Sequence, residues 1–180
     1  MTEEQATQDN SKLKLILGGS IASVLAAGVI GFLVYSSICP CDRTPGGFLF
    51  GDDSDGQVND WSFANDVELC QLQIYDGIRP HSINLNCMAT PEGEMYLSCS
   101  VCDTKYWAAR VGENERGVMR LDGVVYPVYL NRITDSATMD RAWQARVTKL
   151  QIHGGPGNPA PPTNAPRADR WWTFQVTSRG

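Results

Sequence analysis

Histidine is scarce in this chain, with two in 180 residues, His81 and His153. They do not share the close spacing at which imidazoles pair on one metal, which excludes the usual histidine-based centres. There is no Ser/His/Asp set, no pair of carboxylates with a reason to meet, and no glycine-rich loop shaped to cradle phosphate. Basic residues are also in deficit: Lys and Arg number 15 against 20 Asp and Glu, for a net charge of −5. A chain with no basic excess lacks what neutralises a phosphate backbone, so a nucleic-acid partner is excluded. No internal repeat is visible. Charge is missing altogether from Leu15 to Ile38, and cysteine is missing before residue 39.

The uncharged stretch, LILGGSIASVLAAGVIGFLVYSSI, predicts a transmembrane helix over 15–38. At about 1.5 Å rise per residue it covers a hydrocarbon layer of roughly 30 Å. A cleaved signal peptide has a shorter apolar core, of about 7–15 residues. A lipoprotein would acylate Cys39, but Ile38 is bulky where a small residue is needed. Lys12 and Lys14 precede the run and Arg43 follows it, which places a short tail (1–14) in the cytoplasm. The expected setting is the inner, cytoplasmic membrane, crossed once, with the C-terminal domain in the periplasm or outside. All six cysteines lie on that side, as an oxidising compartment allows. Gly19, Ser23, Ala27 and Gly31 repeat every fourth residue and form a small-residue face. Such a face suits close approach by another transmembrane helix, in a homodimer or a larger membrane complex.

Beyond the helix, residues 39–65 read as a linker containing Cys-Pro-Cys, a Pro-Gly-Gly turn and the acidic run Gly51–Asp55. Residues 66–180 form one domain. Alternation predicts strands over 67–75 and 82–89, joined by the turn Asp76–Pro80, and a third over 95–100. Thr104–Glu115 is a short helix or helical loop. Two further strands, 117–121 and 124–132, flank Asp122-Gly123, a strong hairpin signal. Thr134 or Asp135 caps a helix over 136–150, with Met139, Ala142, Trp143, Val147 and Leu150 on its core face. A Gly/Pro/Asn-rich loop over 153–170 precedes a last strand, 171–178.

The cysteines admit several readings. A first hairpin turning about the midpoint of 78 and 79 sets Cys70 opposite Cys87, within disulfide reach. The next, turning near 92 and 93, sets Cys87 almost opposite Cys99, giving a row across three strands. Structural disulfides Cys70–Cys87 and Cys99–Cys102 are one reading. A redox-active Cys99-Ser-Val-Cys102 pair is another, and a four-thiolate metal or iron–sulfur site a third. Cys39 and Cys41 form a further pair or bridge to a partner.

The segments DTKYWAARVGENERGVMRLDGVVYPVYLNRITD (103–135), MDRAWQARVTKL (139–150) and WWTFQVTSR (171–179) resemble the flavin- and deazaflavin-binding split β-barrels. These are the pyridoxamine-phosphate-oxidase-like proteins and the deazaflavin-dependent nitroreductases. The resemblance implies a mainly β (α+β) split barrel of about six strands with one packed helix. It also implies an FMN or deazaflavin cofactor, an oxidoreductase activity, and a two-fold dimer that completes the pocket. Lys105, Trp107 and Arg110 match the segment such proteins use near the cofactor phosphate, and Arg79 matches an Arg of the first hairpin. Two motifs differ: Gly77-Ile78-Arg79-Pro80-His81 stands where the nitroreductases have Gly-Arg-x-Ser-Gly, and Asn114-Glu115 stands for Asn-Pro. Two readings follow. One is a membrane-anchored flavin-type redox protein. The other is a non-catalytic accessory subunit of a membrane complex, with no cofactor.

Overall fold

The computed structural model describes residues 3–38, 40–41 and 43–180, with side chains at 14 and from 16 onward in those ranges. Cys39 lies outside the described residues, so its expected pairing has no structural counterpart here. The chain divides into two units, Met1–Ile38 and Cys39–Gly180.

The first unit is one helix, α1 (Glu3–Ser37). Its stretch Ile16–Ser37 is long and apolar enough to cross a membrane. The hydroxyls of Ser20 and Ser23 donate to the carbonyls of Ile16 and Gly19, each at 2.9 Å, so these two polar groups are satisfied within the helix. Gly19, Ser23, Ala27 and Gly31 all lie on α1 and are exposed.

The second unit is an α+β split barrel. Its strands are β1 (Asp52–Asp53), β2 (Cys70–Asp76), β3 (Arg79–Leu85), β4 (Cys87–Ala89), β5 (Met95–Cys99), β6 (Glu115–Leu121), β7 (Val124–Ile133) and β8 (Trp172–Ser178). Helix α2 (Ser136–His153) falls between the last two. The sheet runs β3-β2-β6-β7-β8-β5-β4, while β1 lies parallel to the start of β7. The two ends of that order, β3 and β4, are neighbours in sequence, separated by Asn86 alone. One bent strand, 79–89, therefore begins and ends the sheet, and six staves make the barrel. The interior is filled by Leu72, Met119, Leu130, Phe174 and Val176, all at most 2% exposed. On the outside, Met88 and Tyr96 pack against Ala142 and Ala145 of α2. The Asp135 carboxylate caps that helix by accepting from the Thr138 amide at 2.8 Å.

Turn chemistry sets the registers. Asp122 and Gly123 both have positive φ, 45° and 85°, as the two central residues of a type I′ turn require. In the first hairpin Gly77 (φ 60°) and Ile78 are the whole turn, so Asp76 pairs with Arg79 and Cys70 with Leu85. The register expected from a midpoint between 78 and 79 is thus two residues out. Cys87 lies beyond the bend at Asn86, and the Cys70–Cys87 disulfide (Cα–Cα 5.8 Å) joins β2 to β4 across that corner. Cys87 faces Leu97, and Cys99 faces Trp172 on β8, so the expected three-strand cysteine row does not form. Cys99 pairs with Cys102 instead. With those four cysteines taken up in disulfides, the four-thiolate reading is set aside.

The stretch 39–65 is more than a linker. Gly46 exchanges backbone hydrogen bonds with Ser82 of β3 (2.8 and 3.0 Å), and β1 joins the sheet. Trp61 is 3% exposed and Ala64 fully buried. The expected helical segment after β5 is a 3₁₀ turn, Cys102–Thr104, followed by turns.

Candidate functional site

The bend at Asn86 separates β3 from β4, and a cleft of about 730 Å³ opens there. Its walls come from the split strand itself (Ile83–Asn86), the segment leaving β5, the C-terminal part of α2, and the loop before β8. Each wall has a local cause. The Cys99–Cys102 disulfide closes a short loop, and the Lys105 amide donates to the Cys102 carbonyl at 3.0 Å, fixing the chain at Lys105 to Trp107. Across the cleft, Gly155 and Asn158 exchange backbone hydrogen bonds (3.2 and 3.0 Å), which shapes the loop after α2.

The four residues carried by the resemblance are divided by the structure. Lys105 is exposed and lines the cleft. Trp107 also lines it, but is 5% exposed with its ring 4.9 Å from Phe174, so most of it belongs to the core. Arg110 and Arg79 gather instead around Asp76 at the β2–β3 turn. Arg110 Nε stands 3.5 Å from the Asp76 carboxylate, its Nη1 donates to the Tyr106 carbonyl at 3.1 Å, and its guanidinium lies 3.4 Å from the centre of the Tyr106 ring. The Tyr106 hydroxyl donates to the Asp76 carboxylate. That bond, with the charges of Arg110 and Arg79 adding to it, holds the Asp76 carboxyl below its ordinary range. The same bond and burial raise the Tyr106 phenol, against the pull of the two arginines. His81 lies beside the same ring, at 4.5 Å, and faces the cleft. Burial pushes its pKa down, and the charges of Arg79 and Arg110 add to this against the pull of Asp76. His81 is therefore a neutral imidazole at neutral pH.

Two buried cations on α2 escaped the reading of the sequence. Arg146 is 6% exposed and lines the cleft. Its Nη2 donates to Asn158 Oδ1 at 2.5 Å and its guanidinium lies 4.5 Å from the Trp171 ring. Its Nε has no partner, and no carboxylate lies within ion-pair distance of it among the described residues. Burial alone lowers its pKa to about 10, so it stays charged at neutral pH. Lys149 is 2% exposed, and its Nζ donates to the carbonyls of Ala64 and Cys87, both at 2.7 Å, with Cys87 Sγ at 3.6 Å. The signal for both was present: each interrupts the apolar stripe formed by Ala142, Trp143, Val147 and Leu150.

Among the described residues that line the cleft, Arg43, Lys105 and Arg146 are cationic and Glu68 alone is a carboxylate. Tyr106, Trp107 and Trp171 supply aromatic surface. The volume falls in the range of small-molecule sites, about 300–1,000 Å³. The chemistry of such a lining is to hold an anionic group by charge and a flat ring by its faces. Among the described residues no group of three metal-ligating side chains converges.

No protein-family model matches the chain, and no curated protein does. Among solved structures, a NimC/NimA family protein from Clostridium acetobutylicum is similar over 65% of this chain and 78% of its own, at 13% identity and a TM-score of 0.43. A protein from Listeria innocua assigned as a pyridoxamine 5′-phosphate oxidase is similar over 66% of this chain and 89% of its own, at 10% identity and a TM-score of 0.43. The FAD-binding protein from Mycobacterium smegmatis is similar over 69% of this chain and all of its own, at 11% identity and a TM-score of 0.38. Likenesses this remote do not define an activity.

Proposed function

We propose that the protein is a membrane-anchored, non-cytoplasmic redox protein that binds a phosphate-bearing cofactor of the flavin or deazaflavin type in the cleft at the barrel's split. The observation that carries this reading is the cleft's lining, which among the described residues has three cations to one carboxylate alongside three aromatic side chains. Lys105 would meet the cofactor phosphate, and the exposed edge of Trp107 would wall the ring. A bound flavin would supply two-electron transfer, while the chain's own part is to bind, orient and shield it. Two disulfides accord with an oxidising compartment, and Ile16–Ser37 accords with a single membrane crossing.

The test is an absorption spectrum of the full chain, purified in detergent after folding in an oxidising compartment, before and after incubation with FMN and with a deazaflavin. A flavin-type spectrum that Lys105→Ala weakens supports the reading. A protein colourless after both incubations overturns it.

One observation favours the second reading, an accessory subunit without a cofactor. Of the residues the resemblance assigns to the cofactor, Arg110 is ion-paired with Asp76, and the charge of Arg79 acts on the same carboxylate. In that case the small-residue face of α1 is the functional surface, and a detergent-solubilised complex should co-migrate with the chain on a native gel.

A further inference from the structure

A guanidinium removed from water costs several kcal/mol unless an opposite charge or a full set of acceptors replaces the solvent. Arg110, Arg141 and Arg167 each have a carboxylate partner and lie nearer the surface as residues. Arg120 and Arg179 share an unpartnered Nε, but both are only half-buried and neither lines the cleft. Arg146 has the reverse arrangement. It is buried, charged, bonded to a neutral amide oxygen, set against a ring, and left with an unpartnered Nε. The surroundings hold the side chain in place without neutralising it. Asn158 is fixed by the reciprocal bonds to Gly155, and Trp171 by contact with Trp143 at 5.2 Å, whose own Nε1 donates to the Ala165 carbonyl at 2.7 Å.

Lys149, one turn along the same helix, shows what a structural buried cation looks like here. Its ammonium has two carbonyls and a sulfur around it, which occupy its three donors. Arg146 has one neutral acceptor for five donors among its recorded bonds, and it lies on the wall of the cleft. A charge fixed in place with no counter-ion among the described residues, beside an open cavity, is completed by an anion from outside.

We infer that Arg146, held by Asn158 and Trp171, is the seat for a phosphate monoester group entering the cleft. Phosphate is the class that fits, because a guanidinium fork binds it through two parallel charge-assisted bonds and Lys105 and Arg43 add charge on the same lining. The inference deepens the cofactor reading and rests on it only for the source of the phosphate; a free phosphate would use the same seat.

The experiment titrates the full chain in detergent, in phosphate-free buffer of constant ionic strength, with three probes: FMN, riboflavin (the same ring without phosphate) and inorganic phosphate. Intrinsic tryptophan fluorescence, to which Trp171 and Trp107 on the cleft contribute, reports binding, and thermal unfolding reports stabilisation. The expected result is that FMN binds roughly tenfold or more tightly than riboflavin, and that Arg146→Gln removes this preference and the response to inorganic phosphate. If neither flavin binds while inorganic phosphate still acts through Arg146, the seat stands and the cofactor reading falls. If inorganic phosphate has no saturable effect, or if Arg146→Gln leaves the FMN preference intact, the seat is overturned. Asn158→Ala guards against a folding failure of the Arg146 variant. It frees the guanidinium without removing a charge, and should weaken phosphate binding while Arg146→Lys restores part of it.

Discussion

Two cations lie three residues apart on α2, and what surrounds each decides what it does. Lys149 ties the helix to the barrel through the Ala64 and Cys87 carbonyls, and burial lowers its pKa from 10.5 to about 8. Between those two values the unfolded chain holds a proton that the folded chain has released, so raising pH through this window stabilises the fold. Lys149→Met should lose this gain and leave two buried carbonyls unpaired, lowering stability by about 1–3 kcal/mol at neutral pH. Thermal unfolding of both proteins across the window checks it: the wild-type curve climbs and the variant's stays flat. The second titration runs at the acid end. His81, depressed below 6.5 by burial, takes up its proton later than the unfolded chain does, so stability falls as pH drops below 6.5. His81→Phe keeps a ring against Tyr106 and should flatten that limb of the profile. The place of Lys149 in the apolar stripe of α2 was the one sign in the sequence. What surrounds each group was not legible, because the partners of a buried charged side chain are set by tertiary packing and not by its neighbours in sequence.

At the scale of elements, legibility followed turn chemistry. Asp122-Gly123 announced its hairpin because both positions need positive φ, and helix α2 was announced by its cap and stripe. The β2–β3 register was missed because Gly77-Ile78 closes a tighter turn than the five-residue stretch around it suggests. The Cys70–Cys87 pair was nevertheless found: the bend at Asn86 brings Cys87 back toward a partner that the straight register would deny it. This disulfide spans 17 residues and Cys99–Cys102 spans three. On loop-closure entropy, Cys70→Ala with Cys87→Ala should cost about 3 kcal/mol, and the same change at 99 and 102 distinctly less. Denaturant unfolding of the two double variants would give the ranking. Asp135→Ala should cost about 1 kcal/mol through the lost helix cap, read in the same assay. The segment 39–65 reads as a linker because the buried hydrophobic residues described in it, Leu49, Trp61 and Ala64, are too widely spaced to make a periodic signal.

For the whole molecule, the class of architecture was legible and the cleft was not. Strand number, the hairpin and the helix before a closing strand are patterns along the chain, whereas the cleft is assembled from separated segments that run from residue 43 to residue 171. The membrane reading belongs to this scale too. If α1 spans the bilayer with its N-terminus inside, protease added to intact spheroplasts of a Gram-negative host should digest residues 39–180 and spare the helix. Digestion only after lysis would reverse the orientation. If the α1 face binds a partner helix, Ser23→Leu with Ala27→Leu should release the chain from its complex on a native gel.

The strand that bends at Asn86 makes the barrel a hoop whose two ends are the same ribbon. A cut in the 153–170 loop would leave every stave joined to its neighbours, and the nicked chain should stay together. A cut at residue 86 would open the hoop at its clasp. The Cys70–Cys87 bond would then be the rivet still fastening the free end of β4 to β2. Nicked there, the protein would rely on that bond as the one covalent tie across the opened clasp, and a reducing agent should loosen the nicked form more than the intact one.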